Sequence, residues 1–133
     1  MSASSIEFRV HTTKKIERRD IGDEVTKAAK KLGAQEGALL VSLPHTTAAV
    51  TVGENWDEDV THDVERALAA WVPDVQFDHS EGNSPAHFLS EAIGVCCLVP
   101  LEKGKPLLGR WQGIFLIELD GPRERTVRVA VIG

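Results

Sequence analysis

No sustained run of lysine or arginine occurs in the 133 residues, and the formal net charge at pH 7 is -5. The chain therefore lacks the electrostatic footprint of a protein that binds nucleic acid or an anionic membrane. No apolar run approaches the ~20 residues that span a bilayer, and the start MSASSIEFRV lacks a basic segment followed by a long apolar one. A cytoplasmic protein with no membrane contact is the expectation. Cysteine is limited to Cys96 and Cys97, which are adjacent, point to opposite sides of a strand and form no CxxC spacing. They read as small buried hydrophobes. There is no GxSxG elbow, P-loop or dinucleotide fingerprint, which weighs against a serine triad and against nucleotide binding. Neither HExxH nor a DDxxD-like carboxylate pair is present.

Apolar residues at 42% and charged residues at 26% form an ordinary globular balance that argues against disorder and low-complexity arrays. One compact domain over residues 1–133 is expected, with no linker. Residues 6–11 alternate Ile6, Phe8 and Val10 with Glu7, Arg9 and His11, the period of a half-buried strand. From Asp20, as N-cap, the spacing Ile21, Val25, Ala28, Leu32 predicts a surface helix ending before Gly33. The runs ALLVSL and AAVTVG then flank the corner PHTT, too close for a helical crossover, and are expected to pair antiparallel. A second helix is expected from about Asp57 to Trp71, with Val60, Val64, Ala67, Leu68 and Trp71 on one stripe and Pro73 as its stop. Ser84 and Pro85 mark the start of a short third helix ending near Gly94. The remainder is strand-rich. Residues 114–119 are apolar on nearly both faces, as a central or covered strand requires.

Polar chemistry gathers at two places. Pro44 denies a ladder donor and hands His45, Thr46 and Thr47 to a corner at the sheet edge. A histidine there is a candidate ligand or acid/base, although a turn of satisfied polar groups explains it as well. The second place is the loop DHSEGNSPAH, with His79 and Glu81, and with His87 in the first turn of the third helix on the side away from its core face. His45, His79 and His87 can supply the three protein ligands that leave a metal an open position, with zinc matching imidazole donors. No spacing forces them onto one face, so the residues alone leave the metal open. Asp63 falls at the border of the second helix's apolar stripe, and Trp111 stands between Gly109 and Gly113, where an aromatic can wall a pocket.

The segments PHTTAAVTVGENWDEDVTHDVERAL, DHSEGNSPAHFLSEAIG and LLGRWQGIFLIELDGPR, in that order, closely resemble the YjbQ family. The resemblance implies an α+β fold, with a mostly antiparallel β-sandwich-like core and about three packed helices, and a homotrimeric assembly. It also implies a divalent metal, zinc by donor type, held by His45, His79 and His87, and a secondary thiamine-phosphate synthase activity. In that reaction a pyrimidine diphosphate is joined to a thiazole phosphate with release of pyrophosphate. Carried over residue by residue, the resemblance makes Glu54, Asp63 and Glu81 the candidates for catalytic roles, and Asn55, Trp111 and Gln112 candidates for binding a small, phosphorylated ligand. Two departures bear on the ligand: Gly53 stands where relatives commonly have Asn, and Arg110 replaces a small hydroxyl residue. A non-catalytic anion-binding homotrimer and a metal-assisted hydrolase are the alternative readings.

Overall fold

The period-two segments become strands of two antiparallel sheets. The computed structural model describes residues 5–72 and 74–133. In chain order its elements are β1 (Ser5–His11), β2 (Glu17–Asp20), α1 (Gly22–Leu32), β3 (Glu36–Ser42), β4 (Ala48–Glu54), α2 (Glu58–Ala70), α3 (Ser84–Ile93), β5 (Cys96–Glu102), β6 (Lys105–Pro106), β7 (Gln112–Glu118) and β8 (Glu124–Ile132). One sheet has the order β1-β8-β3-β5-β6 and the other β2-β7-β4, and the paired neighbours run antiparallel. The expected α+β fold with three helices is the one observed.

The strands on either side of the PHTT corner do not pair with each other. β3 lies between β8 and β5, whereas β4 lies beside β7 in the other sheet. Residues 44–47 thus carry the chain across the sandwich. The crossing lets Leu39 and Val41 of β3 join Ala48 and Val50 of β4 in one core cluster from opposite layers. A hairpin would have set them side by side on one sheet face.

β7 is the middle layer, which explains its apolar composition. Ile114 and Leu116 enter the core between the sheets, beneath α1, while Phe115, Ile117 and Leu119 pack with Leu68 of α2 and Ala86 and Leu89 of α3. Alternate side chains of a strand point to opposite faces, so a strand covered on both sides is apolar except where a buried polar group finds partners, as Glu118 does in Arg125 and Thr12.

The helices follow their sequence signals with local differences. α1 buries Ile21, Val25 and Ala28 and ends at Gly33 in the left-handed region at φ 74. Its N-cap residue is Ile21 rather than Asp20, whose carboxylate accepts the Gly22 N–H at 2.8 Å. Asp57 caps α2 through the Asp59 N–H, at 2.9 Å. On α2 Leu68 is buried, but Ala67 and Trp71 are exposed and Glu65 is buried in their stead. The Glu65 carboxylate accepts from Lys14 Nζ at 2.6 Å and from the Arg18 backbone N–H at 2.8 Å, which compensates its desolvation. Pro73 lies outside the described residues. α3 begins one residue after its N-cap Asn83, with Pro85 in its first turn.

The cysteines differ from expectation. Cys96 is exposed and Cys97 half-buried, because β5 lies near the edge of its sheet with one face uncovered. Burial, and secondarily the neighbouring Cys96, pushes the Cys97 thiol up to about 11. A thiol reagent at pH 7.5 is expected to modify Cys96 in the native protein and Cys97 only on unfolding, read by mass spectrometry of digested samples; prompt double modification would contradict this. Among the described residues, no helix is long and apolar enough to cross a membrane.

Candidate functional site

The corner at residues 44–47 is gripped by two consecutive residues of β8. The Thr126 backbone N–H donates to His45 Nε2 at 2.9 Å. Arg125 Nη2 donates to the Thr47 carbonyl at 2.8 Å and to Thr47 Oγ1 at 2.9 Å. Arg125 is in turn held by Glu118 of β7, to which its Nε donates at 2.9 Å; both side chains are fully buried. Glu118 also accepts from Thr12 Oγ1 at 2.6 Å and from the backbone N–H groups of Leu119 and Asp120, each at 3.0 Å. Burial pushes the Glu118 carboxyl up, but the hydrogen bonds from Arg125, Thr12 and the Asp120 amide outweigh it and hold the group below its ordinary value. Burial and the Arg125 cation both push the His45 imidazole below its ordinary value, with only partial opposition from Glu118.

The junction of α3 and β5 docks against this corner. Leu43 N–H donates to the Val95 carbonyl at 2.8 Å and Val50 N–H to the Gly94 carbonyl at 3.1 Å, while Ser90 Oγ donates to the Ala48 carbonyl at 2.7 Å. Between corner and junction lies a cavity of about 460 Å³, lined by His45, Thr46, His87, Ser90, Glu91 and Val95. His87, on the side of α3 away from buried Leu89, thus faces the same space as His45. The rings of His79 and His87 have centroids 5.5 Å apart at an interplanar angle of 84°. Glu81 Oε2 lies 3.8 Å from His79 Nε2.

The donor geometry separates the three histidines as candidate metal ligands. Two imidazoles that share a tetrahedral ion at about 2.0–2.1 Å have ring centroids roughly 5.2 Å apart. The His79–His87 separation of 5.5 Å is close to that, and it is equally the spacing of two rings packed edge to face. His45 differs, because its Nε2 already receives a backbone N–H. Among the described residues, no three His, Cys, Asp or Glu side chains converge as a ready-made metal cluster.

Most of the other expected site residues lie at the opposite end of β4, whose seven residues extend for about 20 Å. There Glu54 pairs in register with Gln112, and the Asn55 N–H donates to the Trp111 carbonyl at 2.9 Å. The Glu54 carboxylate accepts from the backbone N–H groups of Trp56 and Asp57, both at 3.2 Å, and so shapes the entry to α2. Gln112 Oε1 accepts from the Gly109 N–H at 2.7 Å. Exposed Trp111 packs edge-on against exposed Trp56 at 4.6 Å, with the Arg110 guanidinium 4.7 Å from the Trp111 ring. Asp63 is exposed on α2 and paired with Arg66. The constellation expected from the sequence is therefore divided, within one chain, between a histidine end and a tryptophan end.

Gly53 has a local reason. A Cβ there would stand 2.6 Å from Arg18 Nη2, which crosses β4 to reach the Glu54 carbonyl at 2.7 Å. The Arg18 guanidinium, stacked 3.6 Å above Phe115, takes up the space of a side chain at position 53. Glu118, Arg125 and Ser90 were not singled out by the sequence. The signal that could have found Glu118 is that it is the one charge in the run IFLIEL; Arg125, between Glu124 and Thr126 in a strand that also carries Arg128, had no such signal.

A family model described as "UPF0047 protein YjbQ-like" matches residues 6–133. The chain is 41% identical over 128 residues to the UPF0047 protein YugU of Bacillus subtilis, covering 95% of this chain and 97% of that relative. With a UPF0047 protein of Methanocaldococcus jannaschii the identity is 40% over 127 residues, covering 95% and 92%. Among solved structures, an uncharacterized conserved protein of Clostridium acetobutylicum superposes with a TM-score of 0.90 at 41% identity, covering 96% of this chain and 99% of that one. A Sulfolobus solfataricus protein, described as YbjQ-like and of unknown function, superposes with a TM-score of 0.88 at 31% identity, covering 97% and 96%.

Proposed function

The chain belongs to the YjbQ-like UPF0047 family, and from that premise we propose that it binds a small phosphorylated ligand, with a divalent metal, in the cavity between His45 and His87. The observation that carries this reading is one cavity of about 460 Å³ onto which histidines of two separate elements open, a volume suited to a small metabolite. His79 and His87 would hold the metal, zinc by donor type, leaving open positions for ligand oxygens. When bound, such an ion supplies Lewis-acid charge toward phosphate oxygens. Glu81, beside His79, is the carboxylate suited to orient that ring.

The finer reading is a secondary thiamine-phosphate synthase activity, in which a pyrimidine diphosphate loses pyrophosphate and the freed carbon bonds to the ring nitrogen of a thiazole phosphate. A non-catalytic anion-binding role is the second reading. It is favoured by Glu54 being bonded to backbone amides and Asp63 to Arg66, which leaves Glu81 as the one expected catalytic carboxylate beside a histidine. A homotrimer would let the tryptophan end of one subunit complete the histidine end of another. Support for an assembly comes from Leu98 at 61% and Ile132 at 47% exposure, which leave apolar surface uncovered on the larger sheet.

Elemental analysis of tag-free protein, equilibrated with zinc and freed of excess, tests the reading. Stoichiometric zinc is expected, lost in His79→Ala and in His87→Ala, together with binding of inorganic phosphate by titration calorimetry. Wild-type protein that retains no metal and binds no phosphate would overturn it. Formation of thiamine phosphate from the two precursors separates the transferase from the binding protein, and light scattering reads the assembly.

A further inference from the structure

We propose that His45 is not a ligand of that metal but a fixed hydrogen-bond donor, which presents Nδ1–H to an oxygen of the ligand bound in the cavity. The inference rests on the reading that the cavity binds an oxyanion, and it assigns one residue of that site a role different from the one its resemblance implies.

The polarity of the ring is set by Thr126. A backbone N–H can only donate, so Nε2, which receives it at 2.9 Å, must keep its lone pair. The neutral ring then has its one proton on Nδ1. A metal-bound histidine has the reverse arrangement, with one nitrogen on the ion and the other donating its N–H to an acceptor. Coordination through Nδ1 would require lone pairs on both nitrogens, that is, an imidazolate. Coordination through Nε2 would displace the Thr126 amide and leave it unpaired.

The strand register explains why that amide needs the imidazole. The pairing of β3 with β8 ends at Ser42 opposite Arg128, so Thr126 lies two residues beyond the last ladder pair on that side. Pro44 turns the chain out of the sheet there, and the His45 ring supplies the acceptor that a continued strand would have offered. Neighbouring Arg125 is bonded to Thr47, so the corner is fastened at both of its ends.

The other edge of the ring is open. No group among the described residues accepts from His45 Nδ1, and the one buried side-chain nitrogen or oxygen without a partner among them is Asn83 Oδ1. Nδ1 is therefore not sealed in the interior, and the open space that this ring lines is the cavity it shares with His87. Ser90 cannot substitute for it as a donor, since its hydroxyl proton is committed to the Ala48 carbonyl. An oxygen of a phosphate or carboxylate is the acceptor that this donor suits.

The experiment is a long-range proton–nitrogen correlation spectrum of uniformly labelled wild-type protein, before and after zinc, with zinc and phosphate binding by His45 variants beside it. The Nδ1–H tautomer of His45 is expected in both spectra, with the coordination shift confined to His79 and His87. His45→Ala should keep its zinc and lose about tenfold or more in affinity for inorganic phosphate. His45→Asn, whose amide nitrogen stands near the place of Nδ1, should recover most of that loss, and His45→Gln, which reaches toward Nε2 instead, should not. An Nε2–H tautomer, a coordination shift at His45, or loss of zinc in His45→Ala would overturn the inference. If the wild type binds neither zinc nor phosphate, the functional reading fails separately, and the tautomer of the unliganded protein still decides the polarity of His45.

Discussion

Glu118→Ala is expected to lower the unfolding free energy by about 3–5 kcal/mol, because it strands the Arg125 guanidinium in the interior without its counter-charge. The two side chains are exposed by 0% and 1%, so neither can be rehydrated without opening the core. Thr12 and the Leu119 and Asp120 amides lose their acceptor in the same step. Urea denaturation with matched slopes measures the effect, and a loss under about 1 kcal/mol would mean that water reaches the pair. Replacing both partners, as Glu118→Leu with Arg125→Met, should recover much of the loss, since an apolar pair leaves no buried charge. Even so, the double variant should loosen the corner, because Thr47 then has no guanidinium to hold it.

The same carboxylate sets part of the acid limit. Glu118 has its native pKa below the ordinary value of 4.5, and so does Glu17, where hydrogen bonds from Thr13 and Arg19 outweigh the upward push of burial. A carboxylate held below its unfolded value contributes stability that is fully present above about pH 4.5 and is lost as the pH falls through the lowered native value. The melting temperature is therefore expected to decline below about pH 4.5, and to decline less steeply in Glu118→Ala.

Gly121→Ala should cost about 2–3 kcal/mol, by overpacking rather than by a lost bond. The added methyl would stand 2.4 Å from the Lys14 carbonyl oxygen, 2.7 Å from Glu118 Cγ and 2.9 Å from Thr12 Oγ1. The first of these is backbone and the others belong to a buried hydrogen-bonded network, so none can move aside freely. The Gly121 N–H, bonded to the Lys15 carbonyl at 3.0 Å, fixes the position of the residue itself. In a Glu118→Ala background one of the three obstacles is gone, so the two losses should sum to less than their separate values. Full additivity would place the strain at Lys14 and Thr12 rather than at Glu118, and a loss near zero would show that the turn relaxes.

The helices and most strands were legible because their signals are local. α1 shows its apolar spacing and Gly33, α3 its Pro85 and Gly94, and β7 an unbroken apolar run that only a doubly covered strand can have. β2, with the sequence ERRD, carried no such signal. Its polar composition is tolerated since Glu17 and Arg18, although buried, find partners in Thr13, Thr61 and the Glu54 carbonyl. Glu65 misled in the same way, occupying an interior position that hydropathy assigned to alanine. Two clusters of polar residues were legible, and the structure places His45 and His87 on one cavity. The separation of Glu54, Asn55, Trp111 and Gln112 from them by the length of β4 was not legible.

What the amino-acid order determined by itself is therefore the three helices, most of the strands and the residues able to do chemistry, which depend on spacings of two to four positions along the chain. Partnership was decided by the tertiary structure alone. β3 and β4 went to different sheets, so that Leu39 and Val41 meet Ala48 and Val50 across the core, and the β3–β8 ladder stops short of Thr126, whose amide His45 now satisfies. A hydrogen bond between residues 81 positions apart depends on where two strands end in space, and no periodicity in the chain encodes that.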